Sequence, residues 1–232
     1  MRTGNAFTLT FGLIFTCWPR LALADRPPDK GEGGDPPARW LAGASVNADL
    51  GGAGVALDGR YRFASDVQLG LFVGGDLPGR AYLSGRPVDG VAGASAGLIL
   101  LLPLVSSPRV KLFFRSFHGA NALSELGGAA RATRQTNDLG AFAHVRMTDK
   151  WLLRTGVRAG FELEVDPLIE LADQTQLLTL GCGYSLAKGY LLYAEATTGG
   201  TFGFNGDNAK LIAEGLFGVR FSLPGGDDHG AF

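Results

Sequence analysis

The sequence is poor in charge, in cysteine and in long apolar runs. Only 19% of its 232 residues are charged, against roughly 25% in ordinary soluble domains. It has 21 basic and 22 acidic residues, for a net charge of −1, so it lacks the basic excess of a nucleic-acid-binding surface. Two cysteines are too few for a disulfide framework. These deficits argue against a nucleic-acid partner and against a disulfide-stabilised mini-domain.

The one conspicuous apolar run, residues 7–18, is twelve residues long and so falls short of the about 20 that a membrane-spanning helix needs. Arg2 precedes it, and the small-x-small tripeptide Ala22-Leu23-Ala24 follows. This is the pattern of a secretory signal peptide. We predict cleavage after residue 24, export of a mature chain of about 208 residues, and Cys182 as its only cysteine. An uncleaved N-terminal anchor is the alternative.

What the sequence does contain is glycine and a two-residue hydrophobic period. It has 36 glycines and is 46% hydrophobic, too apolar for a disordered chain. Residues 25–38 hold four prolines and six charges and are predicted to form a disordered periplasmic leader. From residue 39 to residue 223 apolar and polar positions alternate, which is the period of a β-strand. Residues 224–232 form a C-terminal tail.

Residues 151–165 show the alternation best. The odd positions carry no charge, whereas Arg154, Arg158, Glu162 and Glu164 all occupy even positions. A helical period of 3.6 residues would spread these charges around its circumference. We predict ten strands, with eight as the alternative count, at residues 39–50, 54–63, 67–77, 88–102, 109–118, 138–147, 151–165, 174–186, 190–199 and 209–223.

The uncharged strand faces are long, and the opposite faces mix glycine with charge. That combination suits a crowded polar lumen, and most segments reach the about 9–11 residues of a transmembrane strand. Strands satisfy their backbone groups in lipid only in a closed barrel. The predicted fold is therefore all-β: a closed, antiparallel, transmembrane up-and-down β-barrel. Short turns alternate with longer loops at 78–87, 119–137, 166–173 and 199–208, which we expect on the outer side.

Strand parity then sorts the side chains. The charged residues predicted to line the lumen are Arg60, Arg62, Arg146, Arg154, Arg158, Glu162, Glu164, Glu195, Glu214 and Arg220. The inward apolar residues, which favour occlusion over a wet channel, are Phe72, Phe113, Phe117, Phe142, Leu178, Leu180 and Leu191. The aromatic residues predicted to form an interfacial girdle at the short-turn end are Trp40, Tyr61, Phe63, Trp151, Tyr190 and Phe221.

On this architecture, residues 39–223 resemble the small outer-membrane β-barrel (porin-like) superfamily of bacteria. The resemblance implies a location in the cell outer membrane, with outer-membrane lipid and the barrel assembly machinery as partners. Members commonly end on a strand whose terminal aromatic is the assembly signal. Here Phe232 is aromatic, but residues 224–230 separate it from the last predicted strand. No nucleic-acid partner, no specific ligand and no cofactor is predicted.

Two roles fit this barrel: a structural or surface platform, and a narrow passive conduit with a charged lumen. We expect no enzyme activity, no catalytic residues and no metal site. One alternative is an outer-membrane lipid hydrolase of the deacylase type. Ser116 and His118 share a strand face that parity turns toward lipid, and Glu125 or another loop residue would be the acid. The other alternative is a soluble periplasmic β-barrel that acts as a binding module.

Overall fold

The structure, a computed structural model, describes residues 40–49, 52–63, 65–83, 86–165, 169–202 and 209–223. The predicted signal peptide at 1–24, the leader at 25–38 and the tail at 224–232 lie outside the described residues. Among the residues described, no helix is both long enough and apolar enough to span a membrane.

The described chain folds into ten strands. They are β1 (Trp40–Asp49), β2 (Ala53–Arg62), β3 (Gln68–Leu83), β4 (Arg86–Ser106), β5 (Val110–Glu125), β6 (Arg131–Arg146), β7 (Trp151–Val165), β8 (Ile169–Ala187), β9 (Tyr190–Phe202) and β10 (Lys210–Leu223). Each strand pairs antiparallel with its neighbour in sequence, and β1 pairs with β10 from Trp40 opposite Leu223 to Asp49 opposite Glu214. The predicted fold class, a closed ten-stranded antiparallel barrel, is confirmed.

The outer face of the barrel is apolar and exposed. Large hydrophobic side chains at alternate positions are half or more exposed, among them Leu57 at 58%, Leu71 at 64%, Val157 at 58%, Leu211 at 71% and Phe217 at 55%. The residues between them point into the barrel, and several of those are charged and buried, such as Arg62 at 6% and Arg220 at 4%. This is the reverse of a soluble barrel, in which the apolar face fills the interior.

The connections at one end of the barrel are tight. Lys188 and Gly189 alone join β8 to β9, and Gly189 has a positive φ of 79° that a turn this short requires, which glycine adopts without steric cost. The turn after β6 is closed by the Thr148 hydroxyl, which accepts hydrogen bonds from the backbone amides of Lys150 and Trp151. We call this the short-turn end and the opposite side the outer end.

The barrel wall is taller at the outer end than the sequence predicts. The predicted loop at 119–137 is wrong: β5 and β6 stay paired from Gly119 opposite Thr136 to Ser124 opposite Arg131, and residues 126–130 alone connect them. Residues 78–83 and 86–87, and residues 169–173, likewise belong to strands. Thr201, in the predicted loop at 199–208, lies in β9 with 7% of its surface exposed. At this level the outward residues of β6, such as Thr133 and Gln135, are polar, while the inward residues Leu123 and Ala132 are buried, so the outer face loses its apolar character although pairing continues.

Candidate functional site

One side of the bore is filled by hydrocarbon. Ile99, Leu101 and Phe113 form a buried cluster with Phe72 and Phe117 packed against it, and Phe113 is only 2% exposed. A second cluster on the same side, nearer the outer end, consists of Leu83, Val91, Leu123 and Ala132. We call these residues of β3–β6 the apolar sector. They occupy the space that a water-filled channel would need on that side.

The other side holds ion pairs. On β2 the Asp58 carboxylate faces the Nε of Arg60 at 2.9 Å and accepts a hydrogen bond from Arg220 of β10 at 3.3 Å. These side chains are 11%, 10% and 4% exposed, respectively. Asp58 and Arg220 both lie opposite Gly43 of β1, on its two sides. A Cβ at Gly43 would collide with the Asp58 carboxylate, so this contact runs along the inner wall over a residue that has to be glycine.

A second group of pairs radiates from β7. Arg158 contacts Asp138 of β6 at 3.5 Å and Glu214 of β10 at 3.4 Å, and β8 and β9 lie between β7 and β10. Arg154 is paired with Glu195 of β9. Nearer the outer end Arg134 contacts Glu164 at 3.4 Å. We call this set, together with Asp58, Arg60 and Arg220, the ionic sector. Buried charges persist only when paired in this way.

Aromatic rings in the bore lie against the arginine side chains. The guanidinium carbon of Arg154 lies 4.3 Å from the centre of the Phe142 ring, and that of Arg115 lies 5.3 Å from Phe117. Arg220 sits 5.0 Å from the Tyr193 ring. These distances are within the range of cation–π attraction, so the charged side chains are held by stacking as well as by ion pairs.

The structure brings most of the predicted lumen residues together. Arg60, Arg154, Arg158, Glu164, Glu195, Glu214 and Arg220 are all in the ionic sector. Arg62 is buried at the short-turn end, 3.9 Å from Asp66, while Arg146 and Glu162 are half-buried. Four members of the network, namely Asp58, Arg115, Arg134 and Asp138, were missing from the predicted set. Asp58 could have been found from the sequence, because it lies two residues before Arg60 and therefore on the same face of the strand.

Strand β8 corrects one part of the sequence interpretation. Leu178 and Leu180, predicted to point inward, are 51% and 57% exposed on the outer face, whereas Leu191 and the four phenylalanines point inward as predicted. The inward side of β8 carries Thr179 and Gly181 instead. A Cβ on Gly181 would stand 2.8 Å from the Cγ of Glu195, so the Arg154–Glu195 pair requires the smallest residue at that position.

Aromatic residues of the outer face gather at the short-turn end. Trp40 and Tyr61 pack with ring centres 5.0 Å apart, and Tyr190 packs on Phe221 at 5.4 Å. Phe63 contacts Tyr61 at 4.9 Å. Trp151 packs at 4.9 Å on Tyr184, an aromatic residue that the sequence interpretation did not include. All six predicted girdle residues therefore lie at one end of the barrel.

A chain of polar side chains lies on the outer face of β5 and β6. The Ser116 hydroxyl is 3.0 Å from Nε2 of His118, and Nδ1 of His118 is 2.7 Å from Oδ1 of Asn137. Glu125, the predicted acid, is wrong for that role, because its carboxylate accepts a hydrogen bond from the backbone amide of Ala130 at the outer connection. Sequence reasoning missed Asn137, because it looked for an acid and did not predict the β5–β6 register that places Asn137 opposite His118.

Within the described part of the chain, no group of three or more His, Cys, Asp or Glu side chains is arranged to hold a metal ion.

No protein-family model and no curated protein matches this chain. Among solved structures, the β domain of the Bordetella autotransporter BrkA aligns at 18% identity over 80% of this chain and 84% of that chain, with a TM-score of 0.51. The outer membrane protease OmpT of Escherichia coli aligns at 8% identity over 80% and 94%, with a TM-score of 0.47. Neisserial surface protein A aligns at 13% identity over 83% and 100%, with a TM-score of 0.39. The likeness to the Bordetella domain shows the fold, and the predicted architectural resemblance to bacterial outer-membrane barrels is confirmed.

Proposed function

We propose that this chain is an outer-membrane barrel with a closed bore, which serves as a structural or surface platform rather than as a conduit. The exposed apolar outer face supports insertion into lipid, because so large an apolar surface is unfavourable in water. The aromatic residues at the short-turn end also support insertion into a membrane, since aromatic girdles lie at membrane interfaces.

The packing of side chains inside the bore is the main observation in favour of a closed barrel. The apolar sector fills one side with Phe113 and its neighbours. On the other side the Arg158–Glu214 pair reaches past β8 and β9, and the Asp58–Arg220 pair covers the wall at Gly43. A barrel of about eight strands is just filled by its own side chains. With ten strands, the additional volume is taken up by long arginine side chains and their partners.

Single-channel recording in planar lipid bilayers tests this proposal. The refolded wild-type barrel is expected to give no steady ion current. The double substitution Arg154→Ser with Glu195→Ser removes both partners of one internal pair and is expected to produce measurable openings. The matched control Arg80→Ser with Asp89→Ser removes a pair whose side chains are 65% and 80% exposed and should stay silent. Steady wild-type conductance would establish the conduit in place of the platform.

A further inference from the structure

The Ser116–His118–Asn137 chain is fixed by strand geometry. Ser116 and His118 are two residues apart on β5, so their side chains share a face, and Asn137 lies directly opposite His118 in the β5–β6 register. The exposed His118 imidazole is therefore held between a hydroxyl on its own strand and an amide on the next.

The direction of these hydrogen bonds defines the histidine tautomer. Oδ1 of Asn137 can only accept, so Nδ1 of His118 carries the proton and donates it at 2.7 Å. In the neutral imidazole, Nε2 then presents its lone pair to the Ser116 hydroxyl at 3.0 Å. A hydroxyl, a neutral imidazole that accepts its proton, and a third group that orients the imidazole are the parts of a nucleophile activated by a general base.

The position of the chain of groups indicates the substrate. His118 is eight residues beyond Val110, where β5 begins, which is roughly 20 Å along the barrel axis for a rise of about 3.3 Å per residue and a tilt of about 40°. The apolar band of such barrels is about 25 Å tall. On β6 the outward residues change from Leu139 to Asn137, Gln135 and Thr133 at this level, so apolar surface meets polar surface here.

The surroundings of Ser116 are suited to an acyl chain. The register places Leu100 of β4 and Leu139 of β6 on either side of Ser116, and Leu98 opposite His118. Ser116 itself is 9% exposed, so a substrate has to approach between these leucines. A membrane lipid fits these surroundings. Its hydrocarbon tail would lie against the leucines and its polar group near Gln135, which places its ester bond at the Ser116 hydroxyl.

We propose that Ser116 and His118 form a lipid acyl-ester hydrolase site on the outer face of the barrel, with Asn137 as the positioning residue. The Ser116 oxygen bonds to the ester carbonyl carbon while its proton moves to Nε2 of His118. The bond from that carbon to the alcohol oxygen breaks, and His118 returns the proton to the leaving alcohol. Water then attacks the acyl-serine with His118 as base, which releases a fatty acid and restores the Ser116 hydroxyl.

This assignment departs from the sequence-based expectation of no enzyme activity. It rests on the proposed membrane location but not on the closed bore, because the site lies outside the barrel.

The test uses the full-length mature barrel refolded in detergent and checked by heat-modifiable gel mobility. A fluorophosphonate probe is expected to label wild-type protein at Ser116 and to fail with Ser116→Ala and His118→Ala. Ser124→Ala, which removes another exposed outward serine of β5, is the matched control and should label normally. Fatty-acid release is followed in two arms, phosphatidylethanolamine vesicles and purified lipopolysaccharide, which distinguish the two lipid sources.

Release is expected in at least one arm, and Ser116→Ala should lower it about 1,000-fold or more. Asn137→Leu should lower the turnover rate, and Asn137→Asp, which keeps an acceptor for Nδ1, should restore more of it than Asn137→Leu. A folded wild-type barrel that neither binds the probe nor releases fatty acid from either lipid would show that the three residues form only a structural hydrogen-bond chain, and the membrane location would stand. Probe labelling that survives Ser116→Ala would also overturn the assignment.

Discussion

Replacing Asp58 with asparagine is expected to lower the free energy of unfolding by about 3–5 kcal/mol, the cost of removing one partner from a buried ion pair. Asparagine keeps the shape of the side chain, so the change isolates the charge. In the wild-type barrel the Asp58 carboxylate lies between Arg60 and Arg220 at 2.9 and 3.3 Å. Without that negative charge, two guanidinium groups in a low-dielectric bore repel each other, and one neutral amide oxygen with an NH2 donor beside it replaces their common carboxylate.

Equilibrium unfolding in urea, with the barrel in detergent micelles, measures this effect. Asp89→Asn is the matched control, since Asp89 pairs with Arg80 at 3.1 Å but the two side chains are 65% and 80% exposed. An exposed pair contributes about 0–1 kcal/mol, so the control should unfold almost as the wild type does. Similar losses for Asp58→Asn and Asp89→Asn would argue that the bore is wet and well screened.

Placing a charge on the outer face is expected to have an effect of similar size by a different route. Val157 points outward from β7 and is 58% exposed. It is six residues beyond Trp151, which places it roughly 15 Å above the short-turn end, near the middle of the apolar band. Val157→Arg should therefore cost about 2–4 kcal/mol in a bilayer, the usual penalty for arginine at the midplane of a barrel.

The fraction of protein that refolds into phospholipid vesicles, read from heat-modifiable mobility, reports this cost. Ala129→Arg is the control, because Ala129 is exposed in the connection between β5 and β6 and its guanidinium can stay in water. If Val157→Arg and Ala129→Arg refold equally well and unfold at the same urea concentration, the uncharged face does not contact lipid.

Charge made the strand faces predictable. On β7, Arg154 and Arg158 alternate with residues such as Val157, and a charge in a lipid-facing position is costly, so one charged residue is enough to orient a strand. Between residues 174 and 186 β8 has no charge. The run of leucine and threonine at 177–180 fits either face. Glu195 on the next strand leaves room only for a glycine beside it, so Gly181 and Thr179 point inward and Leu178 and Leu180 point outward. The sequence of β8 alone does not show this contact with Glu195.

The outer ends of β5 and β6 were not predictable for a different reason. Residues 119–125 and 131–137 are rich in Asn, Ser, Thr and Gln, which is the composition of a loop. They continue the ladder because backbone pairing requires no apolar outer face, and their inward residues Leu123 and Ala132 still pack in a buried cluster. The same segment contains Asn137, nineteen residues from His118, so only the register between the strands reveals this contact.

The most direct test of the account uses Cys182, which is exposed on β8 and, after loss of the predicted signal peptide, is the one cysteine of the mature chain. A bimane fluorophore on this thiol is measured with the barrel refolded in phospholipid vesicles that contain spin-labelled lipid or aqueous iodide. Ala129→Cys in a Cys182→Ala background supplies the water-exposed reference. An apolar outer face in lipid predicts strong quenching by spin-labelled lipid and little by iodide at position 182, with the opposite at position 129. Quenching of the Cys182 label by iodide alone would contradict a membrane-inserted barrel.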